Sequence, residues 1–199
     1  SIYEASSSFP LKKINQNSIE YLEPKVSLRI NPGDMQDNSS NKRIINTDNV
    51  FDINRIGSND TFESGKSLTL GIDYRKESNL TNSLTTQDIN NFFQFSAAKV
   101  LRDTNENFIP LSSTLNKKNS NFFGSLKNHY YNDDESSLFE SLKFDYYFSI
   151  DDNLENLEYS SLVGELSFNN FTTSFNFIEE SGSIGSTNTL ENSFIYQFD

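Results

Sequence analysis

The sequence predicts an all-β fold made of antiparallel strands, and three features lead to this prediction: composition, alternation and strand length. Only 34% of the 199 residues are hydrophobic, yet the chain contains 18 Phe and 9 Tyr. Disordered chains are usually poor in aromatic residues, so this composition favours a folded chain. Many aromatic and few aliphatic residues, set among polar ones, are typical of strands with one apolar face.

Regular alternation of apolar and polar residues marks the individual strands. In residues 25–30, Val26, Leu28 and Ile30 fall on one face because successive side chains of a strand point to opposite sides. Four further stretches alternate in the same way: 67–76, 141–150, 171–177 and 193–198. Three less regular runs are 91–101, 121–131 and 157–168. Together these stretches predict about eight strands.

Strand and connection lengths indicate the kind of sheet. Several predicted strands have about 9–11 residues, which is the length that crosses a bilayer at a tilt. The connections at 169–170 and 132–137 are short. Those at 31–66 and 102–120 are long, and 180–189 is intermediate. Outer-membrane barrels have short turns on one side and long loops on the other, so the sequence predicts a section of an antiparallel transmembrane β-barrel.

Charge and residue counts exclude several classes of protein. The chain has 16 basic and 28 acidic residues, a net charge of −12, which argues against nucleic-acid binding. The absence of cysteine removes disulfides, thiol catalysis and cysteine zinc sites. The sequence has no run of 18 or more apolar residues, so it predicts no membrane-spanning helix. The chain starts at Ser1 without a visible signal peptide, so we expect it to be processed or part of a longer polypeptide.

Candidates for catalysis are weak, and we expect neither an enzyme nor a cofactor. His129 is the single histidine and lies on a predicted strand, without a nucleophile-elbow motif elsewhere. The segment Gly182–Gly185 superficially resembles a phosphate-binding loop, but the Gly-Lys-Ser/Thr ending and the following helix are missing. We interpret the histidine as solvated and the glycine segment as a hairpin loop.

The long connection contains the weak metal candidates. Its carboxylates are Asp48, Asp52, Asp60 and Glu63. Such a group suits Ca²⁺, which prefers six or more oxygen ligands, but the spacing does not match an EF-hand loop. A solvated acidic loop is the simpler interpretation. If the loop lies on a phosphorylated glycolipid, a divalent ion would bridge carboxylate and phosphate.

Charges are confined to one face of the regular strands. Three pairs of charged residues share polar faces: Lys25 with Arg29, Asp73 with Arg75, and Lys143 with Asp145. The apolar faces of these strands carry no charge. A lipid-facing surface requires this, since a midplane Lys or Arg costs roughly 2–4 kcal/mol there. The core of a soluble β-sandwich would show the same pattern, so alternation leaves both folds open.

Residues 46–65 contain the most specific motif of the chain. Its matching positions are Asn49, Phe51, Asn54, Arg55, Asp60, Glu63 and Gly65. Leu22-Glu23-Pro24 precedes it, and Leu70-Gly71-Ile72 follows. This pattern resembles the family of the lipopolysaccharide-assembly outer-membrane protein LptD, also called organic solvent tolerance protein. Thr61 stands where that family has arginine, and Ala98-Lys99 stands for its Gly-Gln.

The resemblance implies a fold, a location and partners. Residues 1–199 would be part of the outer-membrane β-barrel domain of a bacterium, a middle section of a larger wall, with no periplasmic jellyroll present and the gate strands absent. The implied partners are lipopolysaccharide, the plug lipoprotein of the assembly complex and outer-membrane lipids. The implied activity is transport, in which lipopolysaccharide is inserted into the outer leaflet.

Two other functions remain open at this stage. A small self-contained barrel or porin-like channel would close by pairing its first and last strands, and eight strands are enough for closure. A soluble secreted β-sandwich acting as a binding module would bury its Phe-rich faces against one another. A section of a larger barrel would instead show two unpaired edges.

Overall fold

The chain forms a single antiparallel sheet in a computed structural model that describes residues 2–78, 91–132 and 139–198. The ten strands are β1 (Tyr3–Ser8), β2 (Leu11–Ile14), β3 (Ser18–Asn31), β4 (Gly65–Ser78), β5 (Phe92–Arg102), β6 (Asn119–Tyr131), β7 (Ser141–Ile150), β8 (Leu157–Phe168), β9 (Phe171–Glu180) and β10 (Asn188–Tyr196). A short 3₁₀ helix covers Leu111–Ser113. The all-β antiparallel prediction is confirmed.

Each strand from β3 to β10 pairs with its neighbour in sequence, and β1 and β2 both pair with β3. These two short strands take different halves of β3, with Tyr3 opposite Ile30 and Leu11 opposite Leu22. The Phe9 amide between them donates to the Pro24 carbonyl at 3.0 Å. β1 and β2 therefore form one edge of the sheet that is interrupted near Pro10.

The sheet is open. Within the described residues, β10 pairs with β9 alone, and β1 and β2 pair with β3 alone. The pairing between the strand at Val26–Ile30 and the C-terminal strand, which a self-contained small barrel needs, is not formed there. The sheet thus has two unpaired edges.

The eight predicted strands correspond to β3 through β10. β4 to β9 agree with the predicted stretches to within three residues at each end, whereas β3 begins at Ser18, before the predicted start at residue 25, and β10 covers Asn188–Tyr196 instead of 193–198. The two-residue hairpin is confirmed, since Phe168 pairs with Phe171 and Asn169 has a φ of 41°. Most of the predicted turn at 132–137 falls outside the described residues.

The register assigns side chains to two faces, because directly opposite residues of an antiparallel pair lie on the same side. One row of what we call the apolar face is Leu22, Tyr74, Phe95, Leu126, Tyr146, Leu162, Phe177 and Leu190. On this face Val26 is 39% exposed and Leu70 is 45% exposed. On the opposite, polar face, Ser27 and Thr69 are completely buried. The usual order of a soluble protein, apolar inside and polar outside, is reversed.

No second sheet packs on the apolar face in the described ranges, so the Phe-rich surfaces are not buried against one another as in a sandwich. The helical content described is one short turn, and no helix there is long and apolar enough to cross a membrane.

Connection lengths differ between the two ends of the sheet. Strands β3, β5, β7 and β9 all run towards one end, from which the connections 32–64, 103–118, 151–156 and 181–187 leave. The turns at 15–17 and 169–170 lie at the opposite end. β4 also ends, and β5 begins, at that opposite end. We call the end from which 32–64 and 103–118 leave the long-loop end.

Candidate functional site: the polar face and its buried arginine cluster

The long connection, residues 32–64, folds back onto the polar face of the sheet and forms the hydrophobic core with it. Its buried apolar residues are Met35, Ile45, Val50 and Ile56. They pack with Ala98, Val100 and Phe123 from the sheet and with Ile109 and Leu115 from the second connection. The core of the described chain therefore lies between a folded loop and one sheet.

A buried ion cluster fixes the connection to the sheet. The Arg55 guanidinium donates through Nε to Glu63 Oε2 at 2.7 Å and through Nη2 to Glu63 Oε1 at 2.6 Å. Arg102, from the end of β5, donates to the same carboxylate through Nη1. One glutamate thus pairs with two guanidinium groups that are almost completely removed from solvent. Paired geometry of this kind is what allows charges to be buried.

The remaining donors of Arg55 are also used within the protein. Nη1 donates to the Thr69 hydroxyl at 2.8 Å and Nη2 to the Ser67 hydroxyl at 2.9 Å. Both hydroxyl groups come from the polar face of β4. The small polar residues predicted for this face therefore accept hydrogen bonds from the connection instead of contacting water.

Glu63 remains ionised in this setting. Burial alone raises the pKa of its carboxyl, but the positive charges and hydrogen bonds of Arg55 and Arg102, together with the charge of Arg29, outweigh burial and lower the pKa below its usual value. The carboxylate is the form in which both arginines are satisfied.

Arg29 links the edge strand to the same region. Its Nε donates to Glu4 Oε2 of β1 at 3.0 Å, and its Nη2 donates to the Phe51 carbonyl at 2.6 Å. The Ser27 hydroxyl donates to the other Glu4 oxygen at 3.0 Å. Glu4 therefore holds β1 through side chains on the polar face in addition to the backbone ladder.

Two motif residues shape the connection itself. The Asn49 side chain accepts from the Asn46 amide at 3.0 Å and donates to the Ile44 carbonyl at 3.1 Å. The Asn54 amide group donates to the Ser58 carbonyl at 2.7 Å. Such side-chain bonds to nearby backbone are the usual role of asparagine in turns.

Phe51 and Gly65 each lie in close contact with a residue of the sheet. The Phe51 ring lies on Gly71 of β4, where an added Cβ would come within 2.7 Å of the ring. Gly65 opens β4 with a φ of 82°, a conformation that favours glycine, beside the Arg102 guanidinium. Four of the seven motif positions thus build the connection or its junction with β4, and Arg55 and Glu63 form the buried cluster. Asp60 is exposed.

The four carboxylates considered for metal binding have different partners and do not form one site. Glu63 is held by arginines, and Asp48 accepts from Lys127 Nζ at 3.0 Å and from the Tyr147 hydroxyl at 2.7 Å. Asp52 and Asp60 lie on the surface. Among the described residues, no group of three or more His, Asp or Glu side chains is arranged to hold a metal ion.

Beyond the buried cluster, the polar face carries further ion pairs. Lys25–Asp73 and Lys143–Glu165 join neighbouring strands, whereas Arg75–Glu77 lies within β4 and Lys127 of β6 reaches Asp48 of the connection. His129 lies 2.9 Å from Asp145, and its ring contacts Phe92 at 4.5 Å between centroids. In the glycine segment, the Ser183 amide donates to Glu158 Oε1 at 3.2 Å. That amide is satisfied within the protein.

Sequence reasoning missed Arg102 and the role of Arg29. Arg29 was placed on the polar face with Lys25, but its partners in β1 and the connection were not predicted. Arg102 is in phase with Ala98 and Val100, so alternation extended by one residue puts it on the polar face beside Glu63. The available signal for Arg102 was therefore a charged residue in phase with the polar face of its strand, which could have been considered as a partner for the motif residue Glu63.

Comparisons with protein-family models, with curated proteins and with solved structures find no match for this chain.

Proposed function

We propose that this chain forms part of the wall of an outer-membrane β-barrel that belongs to a lipopolysaccharide-assembly translocon. The observation that supports a membrane wall best is the reversed polarity of the sheet. Leu70 and Val26 point into solvent while Thr69 and Ser27 are buried. A lipid bilayer is the environment in which an exposed apolar sheet face is stable.

The strand dimensions and charges support the same environment. Strands β3 to β10 have 9 to 14 residues, and a strand of about 9–11 residues spans the hydrocarbon core when tilted. The ion pairs between strand residues, such as Lys25–Asp73 and Lys143–Glu165, lie on the polar face. In the proposed barrel this face lines the lumen, where charges stay hydrated.

The assignment to lipopolysaccharide assembly depends on the motif in residues 46–65. Its residues Arg55 and Glu63 anchor the connection to the polar face. In the proposed translocon, that connection and the polar strand residues accommodate the plug lipoprotein and the sugar headgroups. The free edges of β1 and β10 pair with further strands of the wall. The function is transport and not bond chemistry.

Single cysteines test the membrane placement, because the natural sequence has none. Leu162 and Val163 are neighbours on β8 and belong to the apolar and polar faces, respectively. In membranes, a membrane-impermeant maleimide should label V163C and leave L162C unlabelled, and detergent extraction followed by unfolding should make both reactive. Equal labelling of the two variants in membranes would contradict the proposal.

Depletion tests the translocon assignment separately. In the bacterium that carries the gene, lowering the amount of this protein should reduce the fraction of lipopolysaccharide that antibodies detect on intact cells, relative to the total in lysates. A change in small-solute uptake with normal surface lipopolysaccharide would favour a porin-like channel instead. Recovery of the protein as a soluble monomer without detergent would favour a β-sandwich module.

A further inference from the structure

One lysine lies inside the apolar face. The other charged residues on this face of the described strands lie within three residues of a strand end: Lys13, Glu20, Lys66, Lys76 and Glu179. Lys99 differs, because its cross-strand neighbours are Leu70 and Phe122 and its same-face neighbours on β5 are Ala97 and Leu101. In the described ranges its ammonium group has no hydrogen bond and no ion pair. It is an unpaired cation surrounded by apolar side chains.

Beside Lys99 the apolar face has a groove of about 260 Å³. Small residues form its floor and large ones its walls: Gly71, Ala97, Leu70, Ile72 and Phe122, with Lys99 at the rim. The groove exists because Ala97, opposite Ile72, is the small side chain of β5 on this face, while Gly71 and Ala98 contribute only backbone here, their Cβ positions lying on the polar face. The lining is mostly apolar, so the groove is complementary to a hydrocarbon chain.

A cation at the rim of an apolar groove is complementary to a ligand that has a hydrocarbon chain and an anionic group. Long basic side chains at membrane interfaces place their stem along apolar surface and their charged end outward, and Lys99 has the surroundings for this arrangement. Anionic lipid headgroups attract such a charge. An acyl chain would fill the groove while the headgroup phosphate accepts hydrogen bonds from Lys99 Nζ.

We infer that the outer surface of β4, β5 and β6 binds one phosphate-bearing anionic lipid, with an acyl chain in the groove and the phosphate at Lys99. This inference rests on the proposed function, since it requires the apolar face to contact the bilayer. It adds a defined lipid site on the wall, remote from the lumen.

Tryptophan fluorescence can measure lipid binding at this groove, because the natural chain has no Trp. The full chain carrying Phe122→Trp is reconstituted into vesicles that contain either brominated phosphatidylglycerol or brominated phosphatidylcholine, and quenching gives the relative binding constant of the two lipids. We expect about a fivefold preference for phosphatidylglycerol, the size of effect that one lysine near a membrane surface produces. Lys99→Met should remove the preference, and Lys99→Arg should keep it.

Two controls separate this site from a general surface effect. Lys66→Met removes a lysine of the same face that does not line the groove, and the preference should persist. Phe175→Trp reports from β9 and should show no preference between the two lipids.

Equal binding of both lipids at Phe122→Trp, a preference that survives Lys99→Met, or the same preference at Phe175→Trp would each overturn the lipid site. In those three outcomes quenching still occurs, so the membrane placement stands. If neither brominated lipid quenches either tryptophan, the membrane placement fails, and the lipid site fails with it.

Discussion

Strands β4 and β10 have opposite surroundings although both alternate apolar and polar residues. Thr69 of β4 is completely buried beneath the long connection, whereas every residue of β10 from Asn188 to Tyr196 is exposed. We call β3 to β6 together with residues 32–64 the covered region, and β9 with β10 the uncovered region. On β10, Phe194 of the apolar face is 66% exposed and Ile195 of the polar face is 60% exposed.

This difference shows that the two regions are stabilised by different means. The covered region buries the part of its polar face that lies under the connections, through an apolar core and an ion cluster. The uncovered region has backbone pairing with one neighbour and large apolar side chains on both faces of its edge strand. In the proposed barrel its apolar face contacts lipid and its edge pairs with a further strand. Mutations should therefore have large effects in one region and small effects in the other.

The largest effect is expected for Glu63→Ala. This change leaves the buried guanidinium groups of Arg55 and Arg102 without their counterion, and breaking a buried pair in this way costs about 3–5 kcal/mol. Urea unfolding of the folded protein in detergent or vesicles measures the loss. Asp60→Ala, in the same connection but exposed, should change the free energy of unfolding by less than about 0.5 kcal/mol. Equal small losses for both variants would show that the cluster does not hold the connection.

The same carboxylate predicts a pH dependence of stability. Its pKa in the folded protein is lowered, so its contribution is complete above the unfolded value of about 4.3 and is lost as the pH falls through the folded pKa. The wild-type protein should therefore lose more stability than Glu63→Gln when the pH is lowered below about 4. Unfolding midpoints of both proteins across this range provide the measurement, and parallel curves would contradict the prediction.

One isoleucine from each region gives a matched comparison. Ile45 is 2% exposed in the core, and Ile195 is 60% exposed on β10. Ile45→Ala removes buried methyl groups and leaves a cavity, so it should cost about 2–5 kcal/mol. Ile195→Ala should cost less than about 0.5 kcal/mol in the same unfolding assay. A similar loss for both would mean that β10 is covered by a surface that is not part of the described chain.

The covered region also depends on a close approach between Phe51 and Gly71. Gly71→Ala places a Cβ against the Phe51 ring, and overpacking of this kind costs about 1–3 kcal/mol. If the ring is the cause, adding Phe51→Ala should make Gly71→Ala nearly neutral. A double-mutant cycle measures this coupling. Additive losses would place the strain elsewhere in the strand.

Local periodicity predicted the parts of the fold that depend on alternation. β7 and β8 agree with their predicted bounds at residues 141–150 and 157–168, and both are paired on two sides, although only β7 alternates regularly. β1 was missed, since Ser6-Ser7-Ser8 offers no alternation, and it is held by backbone pairing and by Glu4. An edge strand of this type leaves little trace in hydrophobicity.

Prediction of the site was limited by distance along the chain. The motif in residues 46–65 included both Arg55 and Glu63, which are eight residues apart, but their pairing was not predicted. Their third partner, Arg102, is 39 residues from Glu63, and its contact exists only after β3, β4 and β5 have paired. The fold of the connection depends on the packing of its apolar residues against the sheet. These contacts join residues far apart in the sequence, so local periodicity does not predict them.

The smallest effect is expected where the connection reaches the rim of the covered region. Asp48 belongs to the same connection as Glu63 and also pairs with a cation, Lys127, but its side chain is 51% exposed. Exposed ion pairs contribute about 0.2–1 kcal/mol and weaken with salt. Asp48→Asn should therefore lower the free energy of unfolding slightly at low salt and have almost no effect at about 1 M salt, where the Debye length is about 3 Å. The Glu63→Ala loss should persist at both salt concentrations, because water and ions do not reach that pair. If the two losses shrank in parallel as salt increased, the Arg55–Glu63–Arg102 cluster would have to be accessible to solvent, and burial would no longer explain the difference between the regions.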